Sequence, residues 1–226
     1  MKKVVSVVSS KGGIGKSMTA VNLAIDSANR RINTLLVDIE KDGTTIDVEP
    51  RSSEFLTVMN GYDKAFPKMI DVYRNSFDLI VIDTAGVNAD INGDNENLQE
   101  VLLDKVISKS DLLLIPVEPS PVSIRKSLRF FGCVERYLEH SRGALDALVF
   151  INKAVKSSVY TRELIRDLPS ISIDVAKTRI SDLIAIKKAE ERLMSVNEYD
   201  SKSDAALQMR QLQKEIFSRL GMEWSK

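Results

Sequence analysis

The sequence contains a single cysteine, Cys133, and a single histidine, His140, among 226 residues. One cysteine cannot form an internal disulfide, and it argues against a metal cluster held by several thiolates. No set of partner residues in the sequence accompanies Cys133 or His140, so we expect both to be structural. This cysteine usage fits a reducing compartment, and we expect a cytoplasmic protein.

Neither sign of charge is in excess, because 32 basic and 32 acidic side chains cancel. Contact with nucleic acid would therefore need a local basic patch instead of a global field. No apolar stretch approaches the roughly 20 residues that span a bilayer. Lys2 and Lys3 precede a strand-like run, but a signal peptide's apolar core and small-residue cleavage site are missing, so none is expected.

Short apolar runs rich in Val, Ile and Leu recur between longer helical patterns. They are Val4–Val8, Thr34–Ile39, Leu79–Ile82, Leu112–Val117 and Leu148–Ile151. Continuous apolarity, as opposed to alternation, predicts strands buried on both faces of a parallel sheet. The segments between the runs are long enough for crossover helices. We therefore expect an α/β fold of the P-loop NTPase type, with a doubly wound, mostly parallel sheet and helices on both faces.

Three segments have the clearest helical patterns. Ser17–Arg30 follows the first strand, and Pro121–Leu138 has a proline near its first turn, where the missing N–H costs least. Ser203–Leu220 carries one apolar stripe. Val87–Glu100 is polar and is predicted to be a loop running into a helix. No repeat divides the chain, so we expect a single P-loop ATPase domain over residues 1–226, without an N-terminal helix-turn-helix extension.

The strongest motif is Ser10–Ser17, S-K-G-G-I-G-K-S, between the first strand and the first helix. Glycines let backbone N–H groups converge on a phosphate, and the helix N-terminus adds partial positive charge. Lys16 would neutralise the β- and γ-phosphates, and the Ser17 hydroxyl would ligate Mg²⁺. The pattern G-x-x-x-x-G-K-[ST] is met except at Ser10, which replaces the first glycine. The coincidence of strand, loop, Lys-Ser and helix argues against a glycine-rich turn without a ligand.

Lys11 gives this loop the form K-G-G-x-G-K-[ST], which resembles the deviant Walker A box of the ParA/MinD family of ATPases. The early lysine of that family reaches across an ATP-sandwich dimer, so the resemblance implies that Lys11 contacts the nucleotide of a second copy. It also implies ATP and Mg²⁺ as cofactors and a homodimer linked to ATP binding. The implied contacts are Lys11, Gly12, Gly13, Ile14, Gly15, Lys16, Ser17 and Met18. A solvated loop lysine is the alternative for Lys11.

Two apolar runs end in acidic residues, which would lie beyond the carboxyl ends of parallel strands, where such sheets bind ligands. Asp38 and Glu40 resemble the family's D-x-D-P-Q, although the second acid is Glu here and Pro-Gln is absent. The resemblance implies that Glu40 orients the attacking water. Asp83 ends its strand and suits the water-mediated shell of Mg²⁺, the Walker B role. The predicted catalytic residues are Lys11, Lys16, Asp38 and Glu40, and the predicted metal-site residues are Ser17, Asp38 and Asp83. Acids that merely cap strand-end turns are the alternative.

Two later segments resemble the parts that bind the base, especially in small plasmid-partition ATPases such as ParF. Asn152 follows the fifth apolar run, where the family's asparagine hydrogen-bonds adenine. Ile115–Pro121, I-P-V-E-P-S-P, resembles the I-P-V-x-P-S-P segment, which places Pro116 and Pro119 near the nucleotide. The same segment also fits a plain strand-to-helix turn.

Partition ATPases of this branch bind DNA without sequence preference, through basic residues near the C-terminal helices of the dimer. The candidates here are Lys156, Lys177, Arg179, Lys187, Lys188 and Arg192. Acidic residues are interleaved with them, so a solvated face is an equally weighted alternative. The resemblance further implies slow hydrolysis, a ParB-type centromere-binding protein that stimulates it, and association with the nucleoid.

Two other functions share this fold and site. A MinD-like membrane-associated ATPase would need a basic amphipathic C-terminal helix, but Glu215 and Glu223 lie within the apolar segment Lys214–Lys226. A VirC-like factor for conjugation or cargo recruitment would differ only in its partner. The nitrogenase iron protein is excluded, because its cluster needs cysteines absent here. A DNA-partitioning ATPase is the leading hypothesis.

Overall fold

A computed structural model describes residues 2–86, 98–168 and 171–224. Over these residues the sheet has seven strands in the order β3-β2-β4-β1-β5-β6-β7, and every neighbouring pair is parallel. The strands are β1 Lys3–Ser9, β2 Thr34–Asp38, β3 Leu56–Asn60, β4 Leu79–Gly86, β5 Leu112–Val117, β6 Asp146–Ile151 and β7 Asp174–Val175. The predicted parallel sheet of a P-loop NTPase is confirmed.

Helices connect the strands on both faces of this sheet. They are α1 Lys16–Ala28, α2 Phe66–Ser76, α3 Leu98–Ile107, α4 Pro121–Ser141, α5 Val159–Asp167, α6 Ile184–Glu190, α7 Val196–Tyr199 and α8 Asp204–Leu220. A 3₁₀ segment, Thr45–Arg51, follows β2. The five predicted strands and three predicted helices are present, with ends shifted by up to four residues. The predicted loop Val87–Glu100 lies outside the described residues up to position 97, and its last three residues begin α3.

Successive residues of each central strand pack on opposite faces, because strand side chains alternate in direction. Val5 and Val7 of β1 face a core that contains α1 and α8. Val4 faces a second core with α2 and α3, and Val8 faces a third with α4 and α5. All four valines are fully buried. This burial on both faces explains why the strands read as continuous apolar runs.

The apolar stripe predicted for the last helix packs against the sheet, as expected. Met209, Leu212 and Ile216 of α8 are at most 1% exposed. Beyond the helix, Trp224 packs edge-to-face on Phe217, with ring centroids 4.9 Å apart. The Arg30 guanidinium lies over the Trp224 ring, 4.0 Å from the ring centroid. Within the described part of the chain, no helix is both long and apolar enough to cross a membrane.

Strand order brings the predicted site residues to one edge of the sheet. From β1 the chain crosses to β2 on one side, and β5 and β6 lie on the other, so β1 is at the point where the winding direction reverses. Asp38 and Asp83 are directly paired across β2 and β4. The loop between β1 and α1 therefore lies among the carboxyl ends of β2, β4 and β6.

Candidate nucleotide-binding site

The loop that joins β1 to α1 has the backbone that the phosphate-binding motif requires. Gly13 and Gly15 have φ angles of 74° and 91°, a left-handed conformation that favours glycine. Gly15 is the residue that precedes α1, and the first turn of the helix contains no acidic residue. Lys16 opens the helix and is only 5% exposed. Backbone N–H groups at a helix start and a buried ammonium together form a site for anions.

Neighbouring strands hold this loop at close range. A Cβ added to Gly86, at the end of β4, would lie 2.8 Å from the Gly12 nitrogen, and one added to Gly15 would lie 2.2 Å from Nδ2 of Asn152. Asn152 Nδ2 donates to the Ile14 carbonyl at 2.7 Å. The Thr19 hydroxyl donates to the Gly15 carbonyl at 2.6 Å. The loop is thus enclosed by main chain and polar side chains, without room for larger residues at Gly15 or Gly86.

Asp83 lies beside the start of α1 and is completely buried. One carboxylate oxygen accepts the Thr45 hydroxyl at 2.6 Å, and the other is buried without a hydrogen-bond partner within the described structure. Burial raises the pKa of Asp83 to about 6; the nearby hydroxyls of Ser17 and Thr45 oppose this shift, and the charge of Asp38 adds to it. An unpartnered carboxylate oxygen next to a serine hydroxyl fits Mg²⁺, which prefers oxygen ligands.

Thr45 was missed in the sequence analysis. It begins the 3₁₀ segment after β2, and its side chain is 1% exposed. Its hydroxyl connects that segment to Asp83, 38 residues later in the chain. No sequence pattern marks this contact, because a threonine in a loop carries no period or spacing that distinguishes it.

The Asp38 carboxylate organises the loop that follows β2. It accepts the Glu40 N–H at 3.0 Å and the Ile46 N–H at 3.2 Å. A Cβ on Gly43 would lie 2.2 Å from the Asp38 carboxylate, so the loop wraps closely around this group. Desolvation by burial raises the pKa of Asp38, and these backbone hydrogen bonds oppose the shift. Asp38 therefore sets the path of the segment that carries Glu40, and its metal and catalytic roles stay predictions.

A cavity of about 340 Å³ lies above the loop. Its predicted phosphate end is lined by Gly12, Gly13, Gly15, Lys16, Ser17 and Glu40. Met18, Asn152, Lys153, Ser181, Asp182 and Ile186 line it further along. The Ile14 side chain is buried in the protein, so Ile14 could contact a nucleotide only through its backbone. Pro116 and Pro119 are not among the lining residues, so their predicted nucleotide contact stays a prediction.

Lys11 directly precedes Gly12, but unlike Lys16 it is not among the residues that line the cavity. Its ammonium lies 3.7 Å from the Glu118 carboxylate, and the two side chains are 37% and 28% exposed. Glu118 directly follows β5, in the segment that resembles I-P-V-x-P-S-P. In a single copy of the chain, Lys11 is thus paired with a carboxylate of its own subunit.

The six predicted DNA contacts fall into different places. Lys156, Lys177 and Arg179 line one open groove of about 690 Å³, together with Arg162 of α5. No acidic residue is among the described residues that line this groove. Lys187 instead pairs with Asp182 at 3.1 Å, and Arg192 stacks on the Tyr199 ring at 5.2 Å. Lys188 is exposed on α6. Arg162 was not predicted, because nothing in the sequence distinguishes it from a solvated arginine on α5.

Comparison with known proteins agrees with this geometry. Over 127 residues the chain is 31% identical to the maintenance of carboxysome distribution protein A of Gloeobacter kilaueensis, a match that covers 54% of this chain and about half, 52%, of that relative. Over 166 residues it is 26% identical to Protein ParA of Rhizobium radiobacter, covering 70% and 69% of the two chains. The septum site-determining protein MinD complexed with Mg-ADP from Pyrococcus horikoshii OT3 has the same fold, with a TM-score of 0.70 at 17% identity over 98% of each chain.

Residues 5–196 match the family described as the CobQ/CobB/MinD/ParA nucleotide binding domain. The chain therefore belongs to this family, which confirms the ParA/MinD resemblance. Its fold is that of the family's nucleotide-binding ATPases.

Proposed function

We propose that this protein is a ParA-type ATPase for DNA partitioning, which forms an ATP-dependent sandwich dimer, binds DNA without sequence preference and hydrolyses ATP slowly. The observation that carries the proposal is a phosphate loop with two lysines in different environments. Lys16 is buried in the cavity, whereas Lys11 is half-exposed at its edge. A lysine at the edge is free to serve a second subunit once it leaves Glu118.

Within one subunit, the loop amides and Lys16 would hold the phosphates, and Ser17 and Asp83 would hold Mg²⁺. The metal, when bound, neutralises developing charge on the phosphate oxygens. Glu40 lies in the cavity lining and would orient the attacking water through its carboxylate. Its position depends on Asp38, which accepts the Glu40 N–H. Hydrolysis should be slow in isolation, because transition-state charge is poorly stabilised until a partner, here a ParB-type protein, completes the site.

The groove lined by Lys156, Arg162, Lys177 and Arg179 supports nucleic acid as a ligand. Four cationic side chains without an acidic neighbour in the lining suit a phosphate backbone. Phosphate contacts carry no sequence information, which fits nonspecific binding. A sandwich dimer would present two such grooves to one polyanion, and avidity would then link DNA binding to ATP.

The relative named for carboxysome distribution favours a second candidate, a positioning ATPase whose cargo is not plasmid DNA. Such a protein would use the same site and dimer and differ in its partner. A membrane-bound variant of this role has less support, because Trp224 and the α8 stripe pack on the protein itself. A gel shift on random DNA, run with ATP beside a vesicle pull-down, separates DNA from membrane as the surface used.

Static light scattering tests the proposed dimer. Lys11→Ala should retain nucleotide binding, since Lys11 does not line the cavity of its own subunit, but should remove ATP-dependent dimers. Lys16→Ala should lose both properties, because it removes the buried ammonium from the phosphate site. Dimers of unchanged stability in Lys11→Ala would refute the role of Lys11 across the interface.

A further inference from the structure

Lys153, the second residue after β6, has two unusual features. Its φ angle is 53°, a left-handed conformation that is uncommon for residues with a side chain. Its ammonium donates to the Gly13 carbonyl of the phosphate loop at 2.6 Å, across 140 residues of sequence. Backbone conformations of this type persist only where surrounding structure holds them, and they concentrate at functional sites.

Asn152 and Lys153 act on two successive loop carbonyls. Asn152 Nδ2 donates to the Ile14 carbonyl, and Lys153 Nζ donates to the Gly13 carbonyl. In a trans peptide the C=O and the following N–H point in opposite directions. Holding the Gly13 and Ile14 carbonyls towards β6 therefore turns the N–H groups of Ile14 and Gly15 the other way. Adjacent residues of one strand end thus fix the orientation of adjacent amides in the loop.

The residue type suits this task. A lysine is long enough to reach the loop from the carboxyl end of β6. Its ammonium makes a stronger hydrogen bond to a carbonyl than a neutral donor does. It also adds positive charge at the rim of a cavity that already contains Lys16. The left-handed backbone directs the chain from Asn152 so that both side chains can reach the same loop.

We propose that Lys153 is a positioning residue of the phosphate loop, which holds the Gly13 carbonyl so that the loop amides are preoriented for a nucleotide's phosphates. This inference rests on the proposed nucleotide binding and adds a residue to it. The polypeptide around Lys153 is ordered by its own contacts: the next residue, Ala154, forms a bridge with Ser181. Loss of the ammonium is therefore expected to affect the loop and leave the strand end in place.

The test uses the full chain with three variants. Lys153→Met removes the ammonium and keeps the length of the side chain, Lys153→Arg keeps a cationic donor, and Lys68→Met changes an exposed lysine on α2 as a matched control. Amide hydrogen exchange of residues 11–17 is measured without nucleotide, and the Kd for a fluorescent ADP analogue is measured by titration. Thermal unfolding of each variant reports whether the fold is retained.

Lys153→Met should exchange faster in residues 11–17 and bind the ADP analogue about threefold to tenfold more weakly, as expected for one ordinary hydrogen bond that acts on the ligand through the loop. Its melting temperature should match that of Lys68→Met, and Lys153→Arg should restore exchange and affinity in large part. Equal loop exchange and equal Kd in Lys153→Met and Lys68→Met would overturn the role of Lys153. Failure of the unmodified protein to bind the analogue would instead overturn the proposed nucleotide site. The hydrogen-exchange data, measured without nucleotide, would then still test whether Lys153 orders the loop.

Discussion

Among single residues, the buried carboxylate of Asp83 lowers the stability of the folded protein before any ligand binds. Its carboxylate is fully buried, has one oxygen without a partner among the described residues, and has a pKa raised to about 6. A raised pKa means that the folded state holds the proton more tightly than the unfolded state, whose carboxyl has the ordinary value of 3.8. The folded state is then favoured at low pH, and this contribution is lost as pH rises from about 4 to about 6. At neutral pH the ionised Asp83 therefore destabilises the folded protein in the absence of a ligand.

Asp83→Asn should stabilise the protein when nucleotide and metal are absent. Removing the buried charge should raise the free energy of unfolding at pH 8 by on the order of 1–3 kcal/mol, and the gain should shrink towards pH 4 as Asp83 becomes protonated in the folded state. Urea denaturation in EDTA at both pH values measures this. Glu54→Gln, at an exposed position, is the control for loss of one negative charge. A variant less stable than the unmodified protein at pH 8 would show that the Asp83 charge is compensated.

The sequence predicts only part of the site at this scale. Lys16, Ser17, Glu40 and Asn152 were predicted from motif and resemblance, and the structure brings them to one cavity. Thr45, Lys153 and Arg162 were not predicted. The hydrogen bonds of Thr45 and Lys153 join residues that are 38 and 140 positions apart, and the groove of Arg162 is lined by residues from separate segments of the chain. Side chains that act through tertiary contacts leave no spacing for a motif to record.

At the scale of elements, central strands were predicted better than edge elements. The buried strands β1, β4 and β5 have no exposed side, so their sequences are continuously apolar. In the edge strand β3, buried Leu56 and Val58 flank exposed Thr57, so its sequence is not continuously apolar, and the strand was not predicted. The short helices α6 and α7 have too few turns for a period to be visible.

The close approach of β4 to the phosphate loop gives a prediction with a built-in comparison. Gly86→Ala should displace the loop, because its new Cβ would meet the Gly12 nitrogen at 2.8 Å and the Lys11 carbonyl carbon at 2.9 Å. We expect nucleotide binding to weaken at least about tenfold and stability to fall by about 1–3 kcal/mol. Gly132→Ala, inside α4 with open space around it, should instead gain about 0.5–1 kcal/mol.

Titration calorimetry and urea denaturation of both glycine variants measure these effects. The two substitutions add the same methyl group, so a difference between them reports on position alone. Similar behaviour of Gly86→Ala and Gly132→Ala would contradict a tightly packed boundary between β4 and the loop.

For the whole molecule, the pair Lys11–Glu118 should compete with dimerisation. Lys11 must leave the Glu118 carboxylate, 3.7 Å away, before it can reach a nucleotide in a second copy. Because half-exposed ion pairs are weak, Glu118→Gln should tighten the ATP-dependent dimer by only about twofold to fivefold. Analytical ultracentrifugation with a non-hydrolysable ATP analogue measures this, with exposed Glu139→Gln as the control. A weaker dimer in Glu118→Gln would mean that Glu118 supports the interface instead.

DNA binding by the cationic groove should depend steeply on salt. Arg162→Ala should weaken binding to random duplexes of any sequence and reduce the slope of log K against log salt by about one. Arg166→Ala is a matched control on the same helix, because Arg166 pairs with its neighbour Asp167 and does not line the groove. Fluorescence anisotropy over a range of salt concentrations, with ATP analogue present, measures the slope. Equal slopes for the two variants would show that the groove does not contribute to DNA binding.

Calorimetric titration of the protein with Mg²⁺ and a non-hydrolysable ATP analogue tests the central claim, that the loop Gly12–Ser17 holds a triphosphate. We predict saturable binding of a single nucleotide per chain and its loss in Lys16→Ala. An absence of heat, together with no uptake of the analogue in equilibrium dialysis of the unmodified protein, would contradict the proposed function at its foundation.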